Sequence, residues 1–156
     1  MKKVDGKIIL VDDEKYEKQL LESALNTKDW DIEVEYFTNP GEALEHLRKN
    51  ADKIFLIISD MNMPGMNGMD FKKEIDKDEV LRKKTIPFIF ASNKIIEGQV
   101  TEAFEYRVQG YFKKPMTIEG QADMLEKIIQ YWVSSRHPYQ ENNQENHNGQ
   151  KLSMKG

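Results

Sequence analysis

The chain has no cysteine, which removes disulfide bonds, thiolate nucleophiles and cysteine-based zinc sites together. That fits a reducing compartment. Long apolar runs are missing too: the opening Met-Lys-Lys-Val-Asp-Gly lacks the core of a secretory signal, and no stretch approaches the length that spans a bilayer. A soluble, cytoplasmic protein without a membrane role is expected. Nor is there an excess of positive charge, since 23 basic side chains face 27 acidic ones for a net charge of -4. With no broad cationic surface and no recognition-helix or zinc-finger pattern, nucleic acid is not expected as a direct partner. The 156 residues, 38% hydrophobic and 32% charged, suffice for one domain with a real core and are too few for two.

What the chain does have is centred on Ile54 to Gly68. Five apolar residues, Ile54 to Ile58, run without a break into Ser59, Asp60 and then the turn residues Pro64, Gly65 and Gly68. Such a run fits a strand buried on both faces, as in a parallel sheet covered by helices. Asp60 then falls at the carboxyl end of that strand, the edge where ligands collect in open parallel sheets. Taken alone, an aspartate there is equally a turn acceptor.

Other segments repeat the pattern. Lys7 to Val11 is apolar and stops at Asp12, Asp13 and Glu14; alone, three acids also suit a solvated turn opening a helix. Tyr16, Leu20, Leu21, Ala24 and Leu25 then recur at helical spacing. Asp31 to Phe37 alternates like an edge strand, and Asn39, Pro40 and Glu42 mark the start of a helix striped by Pro40, Ala43, Leu44 and Leu47, with His46 off the stripe and expected in solvent. Asn67-Gly68 opens a third helix through Phe71 and Ile75, and the charge run from Lys72 to Lys84 reads as a solvated face. Ile86 to Ala91 is a buried strand ending at Ser92. Ile95, Ile96, Val100, Ala103 and Phe104 predict a fourth helix, Gly110 to Lys113 a short strand, and Ile118, Leu125, Ile128, Ile129 and Trp132 a final helix. From Ser134 to Gly156 the composition turns to Asn, Gln and His, a flexible polar tail with little to bury, in which His137 and His147 are too far apart to suggest a metal tract.

Strands alternating with helices predict an α/β fold: a doubly wound, five-stranded parallel sheet with helices on both faces. All strand ends then share one crevice. It would hold Asp12, Asp13, Asp60, Ser92 and Lys114, each where an apolar run stops, which turn chemistry alone explains poorly.

From Lys7 to Trp132 the chain resembles the receiver domain of two-component response regulators, especially the stand-alone chemotaxis-type members. The resemblance rests on Asp12-Asp13, on Ser59-Asp60-Met-Asn-Met-Pro64-Gly65 with Gly68, and on Ser92, Tyr111 and Lys114-Pro115. It implies a flavodoxin-like sheet of order 2-1-3-4-5 over residues 5–133. It further implies that Asp60 accepts a phosphoryl group from a sensor histidine kinase or phosphotransfer protein, with slow autodephosphorylation and no other enzymatic activity. Mg²⁺ would be held by Asp13, Asp60 and the Asn62 carbonyl, with Asp12 acting through water, and the Lys114–Pro115 bond would be cis. Ser92 would move toward the phosphoryl group and Tyr111 would turn into the space it leaves. The surface of the fourth helix, fifth strand and fifth helix would thereby change for a downstream protein, in a monomer or weak phosphorylation-dependent dimer. Asn62 and Lys94, two residues past Asp60 and Ser92, would tune the lifetime of the signal.

The chemistry of these side chains agrees. Clustered carboxylates repel one another and present hard oxygens suited to Mg²⁺; a carboxylate can then attack phosphorus in line while an ammonium steadies the oxygens that carry charge. A haloacid-dehalogenase-type phosphohydrolase is the main rival, but such enzymes carry a second aspartate two residues after the nucleophile, where this chain has Asn62, and their nucleophile follows the first strand. A pseudo-receiver acting without phosphorylation is disfavoured because the acidic and basic positions are all filled. Two departures from the receiver pattern stand out. Arg107 occupies the end of the fourth helix where Gly is usual and cannot enter a left-handed cap cheaply, which predicts a reshaped switch face; Asn93 replaces a small residue after Ser92.

Overall fold

In the computed structural model, described here for residues 2–136, the chain alternates strand and helix except for two successive helices between the third and fourth strands. β1 (Lys2–Val11), β2 (Trp30–Phe37), β3 (Ile54–Ser59), β4 (Phe88–Ser92) and β5 (Gly110–Lys113) form one sheet of order β2-β1-β3-β4-β5. Every pairing is parallel. The helices are α1 (Tyr16–Thr27), α2 (Pro40–Asn50), α3 (Gly68–Lys77), α4 (Glu79–Lys84), α5 (Glu97–Glu105) and α6 (Ile118–Ser134).

The alternation of side chains along each strand divides the core in two. Ile9, Val11, Ile57, Phe88 and Phe90 pack with Leu44, Leu47, Phe71 and Ala103 on one face. Ile8, Leu10, Leu56, Ile58 and Ile89 pack with Leu21, Leu25, Leu125 and Ile129 on the other. Both faces of the sheet are thus covered by helices, as the unbroken apolar runs require. No helix among the described residues is long and apolar enough to cross a membrane. The segment read as a polar tail, with His137 and His147, lies beyond residue 136 and outside the described residues.

Several elements differ from expectation. The charge run is no mere solvated face: α3 stops at Lys77, and Asp78 caps a further helix by accepting from the Leu81 amide at 3.1 Å. Leu81 is 2% exposed, and a single apolar anchor amid charges gives no periodicity to read. Lys72, from the same run, is buried against Asp76 at 2.8 Å and over the Phe88 ring. β1 begins earlier than Lys7, and its added residues turn at Gly6, whose φ of +101° favours glycine and where a Cβ would meet the Phe55 Cβ at 3.0 Å. His46 is half-buried, its ring 5.3 Å from that of Phe37. Conversely Tyr16, Ile96, Phe104 and Ile118 are exposed, because α1 and α6 begin at the rim and α5 buries only Ala103.

Arg107 does enter the left-handed region, at φ +61°. Its amide bonds the Phe104 carbonyl at 3.0 Å and the Val108 amide the Ala103 carbonyl at 3.3 Å, a Schellman cap closing α5. The strain of about 1 kcal/mol is offset by these two bonds and by burial of Val108.

Candidate functional site

The sheet fixes the site through its backbone. The Asp12 amide bonds the Phe37 carbonyl at 3.1 Å, the Asp60 amide the Val11 carbonyl at 2.9 Å, and the Lys114 amide the Ser92 carbonyl at 2.8 Å. Each functional residue is therefore held by a ladder bond one step past the end of its strand. The loop after Asp60 is clamped from below: the Gly68 amide bonds the Met61 carbonyl at 2.8 Å, and a Cβ on Gly68 would lie 2.2 Å from the Asp60 carbonyl oxygen. No other residue lets α3 approach the loop so closely.

Asp12, Asp60, Ser92 and Lys114 are buried, and Asp13 is exposed. Among the described residues, Asp12, Asp13 and Asp60 form a group of carboxylates whose oxygens lie within 4.8 Å of one another. Burial pushes the Asp60 carboxyl up to about 6; Lys114 works against that shift and the charge of Asp12 adds to it. Asp60 Oδ1 accepts from the Met61 amide at 2.8 Å, leaving Oδ2 as the oxygen without that bond. Asp12 Oδ1 accepts from the Glu14 amide at 2.9 Å, and its carbonyl accepts from the Tyr36 hydroxyl at 2.7 Å. Three hard oxygen donors on rigid backbone, repelling one another, fit a small divalent cation such as Mg²⁺.

Lys114 faces these acids from β5. Its Nζ donates to Asp12 Oδ2 at 2.6 Å and lies 3.2 Å from Glu17 Oε1. Burial alone would lower the ammonium, but Asp12 and then Glu17 outweigh it and hold the group above the usual lysine range. Asn62, Ser92, Asn93 and Lys94 line an open cavity of about 290 Å³ with Asp60 and Ile96. Tyr111 stands behind it on β5, its ring 5.6 Å from Phe90 and its buried hydroxyl without a hydrogen-bond partner among the described residues. Burial first, and then the charge of Asp60, raise that phenol.

One expected feature is corrected. The Lys114–Pro115 peptide is not cis; no cis bond occurs among the described residues. Trans is favoured before proline by about 0.5–1 kcal/mol, and the trans turn is tied down by the Gln121 side chain donating to the Pro115 carbonyl at 2.9 Å.

Two residues of the site were not anticipated. Glu17 is buried beneath Lys114; its signal was its position four residues before Leu21 and eight before Leu25, on the buried stripe of α1. Gln99 donates to Asn62 Oδ1 at 3.0 Å, and nothing in its polar helical turn pointed to that contact.

A buried acidic pocket with an opposing lysine and a serine, at the carboxyl edge of a sheet of order 2-1-3-4-5, defines a phosphoacceptor-type site on a flavodoxin-like fold. Comparison with known proteins identifies the family. The response regulator receiver domain model matches residues 8–128, and the chain belongs to that family. It is 32% identical to the chemotaxis protein CheY1 of Helicobacter pylori over 125 residues, 79% of this chain and 96% of that one. It is 28% identical to the chemotaxis protein CheY of Pseudomonas aeruginosa, over 80% and 96% of the two chains. Among solved structures, the phosphorylated cyanobacterial phytochrome response regulator RcpA superposes with a TM-score of 0.78 at 27% identity, over 86% of this chain and 99% of that one. Its relatives are signalling proteins, and a phosphohydrolase is not favoured: Asn62 cannot act as acid or base, and its Oδ1 accepts from Gln99.

Proposed function

We propose that the protein carries a phosphoryl group on Asp60, received from a histidine kinase or phosphotransfer protein, and signals to a partner protein through a changed surface. The observation that carries this reading is the convergence of Asp12, Asp13, Asp60, Ser92 and Lys114 at one sheet edge beside an open cavity. Asp60 Oδ2, free of the Met61 amide, is the attacking oxygen. It bonds to phosphorus as the phosphorus–nitrogen bond of the donor phosphohistidine breaks, and the electron pair leaves with the imidazole, which takes its proton from solvent. Lys114 steadies one phosphoryl oxygen and the Ser92 hydroxyl donates to another. Asp13, Asp60 and the Asn62 carbonyl would hold Mg²⁺, with Asp12 acting through water; when bound, the ion supplies positive charge that offsets the acids and the incoming phosphoryl group.

Phosphorylation replaces the single charge of the Asp60 carboxylate with a phosphoryl group carrying about 1.5 to 2 negative charges and strong acceptor oxygens, which would draw Ser92 inward and free space for Tyr111. Tyr111 lies half-buried between the site and the face formed by α5, β5 and α6, so its rotation would carry the change outward. The expected docking face is the same surface, renumbered because α4 is an added helix. Slow loss of the phosphoryl group to water, a cytoplasmic setting, and a monomer or weak phosphorylation-dependent dimer belong to the same reading.

The test is intact mass after incubation with Mg²⁺ and a small acyl phosphate. The protein should gain one phosphoryl group and Asp60→Asn none. A normal, stable yield in Asp60→Asn would overturn the assignment.

A further inference from the structure

One buried charge at the site, Glu17, is not used by the reaction. It lies at the start of α1, under the site, in an enclosed space lined by Leu10, Leu21, Ile58, Met124 and Leu125 together with Asp12, Asp60 and Lys114. Apolar walls are a costly setting for a carboxylate, which persists there only with a partner. Burial accordingly pushes the Glu17 carboxyl up, and Lys114 pulls against that shift. Among the described residues its one ion pair is Lys114 at 3.2 Å, and Oε1 makes no hydrogen bond there, so the hold on the ammonium is mainly one of charge.

Lys114 thus rests between Asp12 and Glu17, and no ion pair joins it to Asp60 among the described residues. A phosphoryl oxygen at Asp60 would compete with these two carboxylates for the ammonium. We infer that Glu17 is a positioning residue that latches Lys114 against the inner wall of the pocket and withholds it from Asp60 until a phosphoryl group competes for it. This rests on Asp60 being the acceptor. Glu17 slows transfer in two ways that act in the same direction. It stabilises the resting position of the ammonium, and its charge opposes an incoming anion across a poorly screened interior. It also adds to the negative charge that favours a cation, so removing it should weaken Mg²⁺ binding. The rate comparison therefore belongs at saturating Mg²⁺.

The experiment uses the full chain as wild type, Glu17→Gln, Glu17→Met and Glu14→Gln. Glu17→Gln keeps the shape and drops the charge, and Glu17→Met suits the apolar walls and remains a test if the glutamine variant folds poorly. Glu14 is an exposed neighbour making no ion pair with Lys114. Phosphorylation by a small acyl phosphate is followed by intact mass, and the Lys114 side-chain resonances by NMR without donor. Both Glu17 variants should take up phosphoryl groups about 3- to 10-fold faster than wild type and shift the Lys114 resonances, while Glu14→Gln stays within about twofold. Loss of folding slows transfer and cannot mimic this gain. Equal or slower rates in both Glu17 variants, or an unmoved Lys114 signal, would overturn the latch. A wild-type protein that takes up no phosphoryl group would instead overturn the assignment of Asp60.

Discussion

Gln99 in the first turn of α5 donates its side-chain amide to Asn62 Oδ1 at 3.0 Å, joining the expected switch helix to the loop that follows the acceptor. The other end of Gln99 is buried without a hydrogen-bond partner among the described residues, so the contact is made at some cost and depends on where α5 sits. Asn62 lines the cavity over Asp60, where a side-chain carbonyl can orient water but cannot deprotonate it. While Gln99 occupies that oxygen, water is poorly held. Gln99→Leu should therefore shorten the life of the phosphorylated protein by about 2- to 5-fold, the scale of one net hydrogen bond. Intact mass followed after removal of the donor checks this.

Acid should stabilise the metal-free protein at Asp60. Burial raises its carboxyl from 3.8 to about 6, so between those values the folded state binds more protons than the unfolded one. Stability from this group is fully present below pH 4 and is lost as pH rises through 6. Asp60→Asn, neutral throughout, should then be more stable than wild type at pH 7.5 by about 1–3 kcal/mol. The gap should close near pH 4 and narrow when Mg²⁺ is added to wild type at pH 7.5. Thermal melts of both proteins across that range, with and without the ion, are the measurement.

Asp12 and Asp13 are adjacent but should fail differently. Asp12 is buried and holds Lys114 at 2.6 Å. Asp12→Ala leaves the ammonium with Glu17 alone and should cost about 3–5 kcal/mol of stability, the range for breaking a buried pair. Asp13 is exposed, so Asp13→Ala should change stability little, by under about 0.5 kcal/mol. For Mg²⁺ the order should reverse, with Asp13→Ala losing the greater part of the affinity if Asp13 is the direct ligand proposed above. Paired titration calorimetry and melts separate the two roles, and equal losses of affinity would contradict them.

The parallel sheet and its site edge were legible because they rest on strong local patterns. Ile54 to Ile58 suit a strand buried on both faces within a helix-covered sheet, Asp12 and Ser92 each follow such a run directly, and Asp60 follows one after Ser59. Leu81 was not legible, since Val80 and Leu81 form an isolated apolar pair among charges with no period, and the cap formed by Asp78 is a contact rather than a pattern. Glu17 was missed for the opposite reason. A carboxylate on a helix reads as solvated, and only the lysine arriving from a distant strand makes its burial tolerable. The trans bond at Pro115 departs from what the family resemblance implied, whereas the left-handed Arg107 departs from the cost expected of a residue with a Cβ, which the two cap bonds to Phe104 and Ala103 offset.

Lys94 is proposed to bear on how long the signal lives. It is exposed at the mouth of the cavity that holds Asp60, Asn62 and Ser92, two residues beyond the last residue of β4. An ammonium there can reach toward phosphoryl oxygens through a flexible stem while its head stays in water. It would shield the phosphorus from water in line with the aspartyl oxygen, and being solvated it should do so weakly. It stands outside the carboxylate cluster, so the metal should not sense its loss. Lys94→Ala should accordingly shorten the phosphoprotein lifetime by about 2- to 3-fold, as befits an exposed charge contact, with Mg²⁺ affinity unchanged. Decay of the added mass after donor removal, run beside a Mg²⁺ titration, tests both halves, and a lifetime equal to or longer than that of wild type would show that Lys94 extends into solvent and guards nothing.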